Sequence, residues 1–350
     1  MNRMIFLSAG VFLLFLTFIM FSCAPVEVRD DDSIPDNLLP PKITGFSVSD
    51  SSRIEFIFSK QLVPSALVFE ITPPLGTLSA QANGNSVIIN LSEMQLPGFK
   101  YFIRGRVKDY IGNTLSFSAD FYGFNPRVPD IIINEFTTNG STTHPDMVEL
   151  YIKSSGNMAS VAFYAGCGCE NDLQLIFPPF EINDGEYIVI HTKPQGIPAE
   201  IDETGPFETA LDDSGGLDAS PLARDFWIKG GSGLSGNNGA LSVFSSPGAD
   251  LIDALIYSNR TSLSDDTYRG FGSTVMLHKA DCISDKGGWL FTGDIVTPED
   301  CINPETSTAT RSISRSSTSG DTNLISDWHV VPTSGYTFGL INNDAVYSPD

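Results

Sequence analysis

The chain has 350 residues and carries 42 acidic against 20 basic side chains, a formal charge of −22. The length suits two domains, and the acidic residues are spread along the chain, so its surface repels phosphate backbones and nucleic acid is excluded as a partner. With 31 Gly, 22 Pro and 24 Phe, and no long segment of apolar residues at helical spacing, the composition points to an all-β protein with many turns.

At the N-terminus, Arg3 precedes an uncharged apolar run, Met4–Phe21, closed by Ser22 and Cys23. A cleaved export signal has an apolar core of roughly 7–15 residues, and a membrane-spanning helix needs about 18 or more. Length alone therefore leaves both open. The cysteine and the small residue before it favour cleavage. Met20–Cys23 resembles the lipobox of bacterial lipoproteins, with Met20 and Phe21 standing where that family prefers Leu and a small residue. The resemblance implies removal of residues 1–22 and a covalent lipid on Cys23, which anchors the chain to a membrane through several acyl chains. An uncleaved anchor and cleavage without lipid are the alternatives. Ala24 and Pro25 follow, with no acidic residue next. By analogy with lipoprotein sorting, that permits the outer membrane or the cell surface. Residues 23–40 have several Asp and Pro and few apolar anchors, and read as an acidic tether.

Residues 41–125 read as short strands. Arg53–Ser59 places Ile54, Phe56 and Phe58 on one face of a strand. Ala82–Asn85 reads as a turn, with a strand from Ser86 to Leu91, and Tyr101–Val107 as another strand. The spacing predicts a β-sandwich. The Asp109–Asn113 turn, with Asp109, Gly112 and Asn113, resembles one found in bacterial Ig-like domains. That resemblance implies an adhesive or spacer module; the simpler reading is that Asp109 and Asn113 hydrogen-bond the turn backbone.

Two prolines within Asn125–Asp130 mark the best boundary, and residues 129–345 form the second region. Asn134 and Glu135 follow its first strand and precede Val148–Leu150. Further on come Gly185–Tyr187, Asp253–Tyr257, Arg315, Asp327, Trp328 and Pro332–Gly335. In this order the motifs resemble the lamin-tail domain, an Ig-like β-sandwich also found in exported bacterial proteins. The expected fold is therefore two Ig-like β-sandwich domains behind a lipoprotein signal and a short tether. Long insertions near 192–225 and 260–310 depart from the family and are expected to carry loops that meet a partner.

Catalytic chemistry is sparse. Glu135 and Glu149 could face each other across neighbouring strands, and paired carboxylates do acid–base work. The competing reading is that they satisfy backbone groups of the fold, and no catalytic residue is assigned. His144, His191, His278 and His329 have no metal-ligand spacing and read as surface or loop residues. The acidic, Gly-rich stretch Leu211–Asp218 makes calcium conceivable, but it lacks the ligand pattern of a calcium loop and reads as a flexible acidic loop. No cofactor is expected beyond the lipid.

With Cys23 lipidated, Cys167, Cys169, Cys282 and Cys301 remain as candidate disulfide partners, with three connectivities open. Cys167 and Cys169 are too close for an unstrained bridge to each other, whereas Cys282 and Cys301 could close a loop. A four-thiolate metal site is disfavoured because the second pair is too widely spaced. Trp227, Trp289 and Trp328 are the candidate platform for a protein or glycan partner, against the alternative of packed core residues. Together these readings describe a membrane-anchored envelope lipoprotein acting as a non-enzymatic binding, structural or adhesive module. The alternative is an accessory or catalytic component of an exported hydrolase.

Overall fold

The structure, a computed structural model, describes residues 35–349. Cys23, the signal and most of the tether lie outside the described residues. Asp36–Leu38 form a single 3-10 turn, and residues 40–349 make a separate compact unit. Among the described residues no helix is long and apolar enough to cross a membrane.

The larger unit is all-β, and its strands pack as sandwiches around two large, separate apolar cores, with a small third cluster of Met147, Val189 and Ala223. In the first, β1 (Ile43–Asp50), β2 (Arg53–Phe58), β4 (Leu78–Asn83) and β5 (Ser86–Leu91) make a four-stranded antiparallel sheet in the order β1-β2-β5-β4. Facing it are β3 (Val68–Thr72), β6 (Lys100–Lys108) and β7 (Thr114–Tyr122), ordered β3-β6-β7. Alternate residues point inward because side chains on a strand alternate between faces. Ile54, Phe56 and Phe58 are fully buried as their spacing predicts, beside Val87, Ile89, Ile103 and Val107. Gly105 has to be glycine: a Cβ there would lie 2.3 Å from the Phe117 ring and 2.9 Å from Phe69.

The Asp109 turn follows the simpler sequence reading. Asp109 Oδ1 accepts from the backbone N–H of Ile111, Gly112 and Asn113 at 3.0, 2.8 and 2.8 Å. Burial pushes its carboxyl up, but these bonds and that from the Asn113 side chain outweigh it and hold the pKa below the ordinary value.

The second sandwich is larger. Its six-stranded sheet is ordered β15-β14-β9-β8-β18-β19, with β8 (Ile131–Phe136), β9 (Met147–Ile152), β14 (Tyr187–His191), β15 (Arg224–Trp227), β18 (Ile313–Arg315) and β19 (Trp328–Val330). The opposing sheet is ordered β12-β11-β16-β17, from β11 (Ala162–Cys167), β12 (Glu170–Ile176), β16 (Asn238–Phe244) and β17 (Leu251–Ser258). Short strands β10 (Gly156–Asn157) and β13 (Glu181–Ile182) pair separately. β14 and β15 run parallel. Parallel neighbours need a crossover connection, and the expected insertion near 192–225 supplies it, with the four-residue helix α1 (Phe207–Ala210) within it.

The second insertion holds a helix that the sequence reading does not place. Helix α2 runs from Thr274 to Asp285, and the Ser273 side chain caps it by accepting from Met276 N at 3.1 Å. It buries Met276, Ala280 and Ile283 against the four-stranded sheet. Those positions do have helical spacing, but Lys279 interrupts the stripe and hides it. The Lys279 stem is buried while its ammonium reaches Asp172 at 2.6 Å. Covered by α2 on one side and the six-stranded sheet on the other, β16 and β17 bury consecutive residues instead of alternate ones.

The expected boundary is a pinned segment. Asn125 donates to the carbonyls of Asn157 and Ala159 at 2.7 and 3.1 Å and accepts from Arg127 N at 3.0 Å. The two cores part here, between Phe121 and Ile131.

Candidate functional site

Glu135 on β8 and Glu149 on β9 stand directly opposite each other, both fully buried. Glu135 accepts from the Ser312 hydroxyl, from Thr337 N at 2.9 Å and from Thr337 Oγ1 at 2.8 Å. Glu149 accepts from Asn134 Nδ2 at 2.8 Å and Gly339 N at 2.5 Å. Burial raises the pKa of both, and for Glu149 the charge of Glu135 raises it further. Every carboxylate oxygen is thus occupied by a group of the fold. The pair clamps the closing segment around Thr337–Gly339 over the sheet and leaves no face for a substrate.

A second buried charge cluster sits one strand away. Arg315 reaches Asp253, Asp321 and Asp327 at 3.3, 3.0 and 3.3 Å, and its guanidinium lies over the Trp328 ring at 4.5 Å. Asp253 also accepts from Ile133 N at 2.6 Å. Burial pushes its carboxyl up to about 7 against the pull of Arg315. The cluster joins β8, β17, β18 and β19, and sequence inspection singled out Arg315 and Asp253 only as fold motifs.

The tryptophan platform is overturned. Trp227, Trp289 and Trp328 are 3%, 1% and 8% exposed. Trp227 stacks on His191 with centroids 3.7 Å apart and donates to Ser214 Oγ at 3.0 Å. Trp289 donates to the Asp300 carbonyl at 3.0 Å, and Trp328 lies beneath Arg315. Each is large and apolar, and each finds cover from a segment distant in sequence, so burial wins over display. His191 is likewise no surface residue: it is buried and meets Asp225 at 2.8 Å. His144 meets Asp218, the last residue of the acidic stretch, at 3.1 Å. Among the described residues no three metal-capable side chains of that stretch converge.

The cysteines also depart from expectation. Cys282 bonds to Cys167, not Cys301. Helix α2 carries Cys282 over the turn that ends β11, while Cys301 is turned inward, where its thiol donates to the Thr297 carbonyl at 3.3 Å. Burial raises the Cys301 pKa, helped by the nearby Asp300 and Glu299. Cys169 is free, exposed, and 3.2 Å from Cys282 Sγ.

An open concave surface lies between the sandwiches. This cleft of 520 Å³ has Phe46, Phe121, Tyr122 and Phe124 on one wall and the Ser245–Asp250 turn on the other, with Lys286 at its rim. Aromatic side chains on one side thus face backbone and hydroxyl groups and the charged Asp250 and Lys286 on the other, the mixed apolar and polar lining common to ligand pockets.

A family model described as a protein second domain (TP_1001 second domain) matches residues 129–330. This chain belongs to that family. The matched stretch spans the second sandwich from β8 to β19, so the clamp carboxylates, the Arg315 cluster and the sulfur cluster all lie within it. An uncharacterised protein of Treponema pallidum (strain Nichols) is 30% identical over 162 residues, which is 46% of this chain and 40% of that relative. The likeness therefore covers less than half of the relative's length.

Proposed function

We propose that this chain is an exported, lipid-anchored cell-envelope lipoprotein that serves as a non-enzymatic binding and structural module. In this reading Cys23 holds the lipid, residues 24–40 give reach, the first sandwich is an Ig-like spacer, and the second is a lamin-tail-type domain. The observation that carries the binding role is the contrast between the second sandwich and the cleft it shares with the first. Its carboxylates Glu135, Glu149 and Asp253 are sealed and pinned by donors of the fold, whereas the aromatic-walled cleft is open. The inserted segments pack as a crossover and a sheet cover, so the cleft is the better candidate for meeting a protein or glycan partner. A hydrolase role finds no support in the Glu135–Glu149 pair.

Intact-mass spectrometry of the protein taken from its native membrane tests the anchor, with Cys23→Ala beside it. The expected mass is that of residues 23–350 plus a diacylglyceryl and an acyl group, lost in the variant together with membrane retention. An unmodified full-length mass, or a shorter unlipidated one, would overturn the anchor.

A further inference from the structure

Three sulfurs converge where the β11–β12 hairpin meets helix α2. Residues 168 and 169 form the two-residue turn between the paired ends Cys167 and Glu170. Cys282 lies on α2, which packs across β11 and β12. The Sγ atoms of Cys167, Cys169 and Cys282 all lie within 4.8 Å of one another. Cys167 and Cys282 are bonded, and the Cys169 thiol touches the Cys282 end of that bond at 3.2 Å. Exposure differs sharply across the trio: Cys167 is fully buried, Cys282 half-buried and Cys169 exposed. A free thiol held against a disulfide is the arrangement from which exchange proceeds, because attack needs only a thiolate and access to one sulfur.

We propose that Cys167, Cys169 and Cys282 form a thiol–disulfide exchange site whose ligand is an external thiol. In the internal step the Cys169 thiolate attacks Cys282 Sγ. A Cys169–Cys282 bond forms, the Cys167–Cys282 bond breaks, and Cys167 leaves as a thiolate that takes up the proton Cys169 gave up. There is no net oxidation, so no outside oxidant or reductant is needed. The turn has room for the movement, since even a Cβ on Gly168 would come no closer than 3.7 Å to a neighbour. The product presents a disulfide sulfur, Cys169 Sγ, on the exposed side of the cluster. An external thiol attacks it there: a mixed disulfide forms on Cys169, the Cys169–Cys282 bond breaks, and Cys282 leaves as a thiolate. The buried Cys167–Cys282 isomer withholds its Cys167 sulfur from such attack. Cys301 takes no part, being buried elsewhere with its thiol on the Thr297 carbonyl.

The test uses the full chain, incubated at mildly alkaline pH, quenched in acid and blocked with N-ethylmaleimide. Fragment-ion mass spectrometry then locates the blocked thiol. The label is expected on both Cys167 and Cys169, reporting two exchanging isomers. Label on Cys169 alone overturns the internal step, as does label on all three cysteines, which would mean a reduced cluster. The second measurement is the rate at which glutathione reduces the disulfide in wild type and in Cys169→Ser, which keeps the Cys167–Cys282 bond. Reduction is expected to slow on the order of tenfold in the variant, because access governs exchange. Equal rates would overturn the role of Cys169 as the entry point for a thiol.

Discussion

Asp253 shows how a single buried acid couples this fold to pH. The folded chain keeps its proton up to about 7, mainly through burial, with Asp321 adding to the effect and Arg315 opposing it. Glu203 behaves alike: burial, with help from the charges of Asp225 and Asp213, pushes it up to about 7 against hydrogen bonds from Asp225 N and Ser214 N. Both folded pKa values lie above the ordinary carboxylate range, so in the interval between the two the native state binds more protons than the unfolded chain. Stability contributed by these groups is complete below the ordinary carboxylate pKa, falls as pH rises through the interval, and levels off above about 7. Thermal melts between about pH 5 and pH 8 should show this decline, and Asp253→Asn should flatten it while lowering stability at every pH. An unchanged slope would remove Asp253 from the account. At this scale the sequence was partly legible. Adjacent strands place Glu135 opposite Glu149, and that pairing was readable from motif order. Their full complement of donors was not, because Ser312, Thr337 and Gly339 lie far along the chain.

Strands and helices differ in how openly the sequence declares them. Period-two alternation marked β2, β5 and β6 because each buries one face and leaves the other to solvent. In β16 and β17 alternation fades, since both faces are covered. Helix α2 supplies part of that cover. Its stripe of Met276, Ala280 and Ile283 is narrow, and the Lys279 stem lies buried beside it, so the pattern passes for an irregular loop. A single residue, Ser273, satisfies the N–H of Met276 at the helix start. Ser273→Ala should therefore cost about 1 kcal/mol, measured as a lower midpoint in urea unfolding. A midpoint equal to wild type would mean that packing on β11 and β16 alone decides the helix.

On the scale of the whole molecule, Asn125 ties the segment between the two cores to the second sandwich. Its side chain spans the carbonyls of Asn157 and Ala159 while accepting from Arg127 N. Removing it leaves buried backbone groups unpaired, a cost of about 1–3 kcal/mol. Asn125→Ala should lower the main calorimetric transition and bring out a separate, earlier one for the first sandwich. A single transition at the wild-type temperature would show that other contacts hold the junction. The two prolines of this segment restrict the backbone where the two apolar cores part, but they could not signal that the stretch is anchored.

By itself the sequence determined the all-β class, the inward faces of the first sandwich, the Asp109 turn and the opposition of Glu135 and Glu149. These follow from side-chain alternation, turn chemistry and strand order, all of which act over a few residues. Only the tertiary structure decided that Cys282 bonds to Cys167 across a separation of 115 residues, that Cys169 rests against that bond, that the three tryptophans are core, and that α2 roofs a sheet. Which distant surfaces meet depends on how whole faces of apolar area are covered, and no local period encodes that choice.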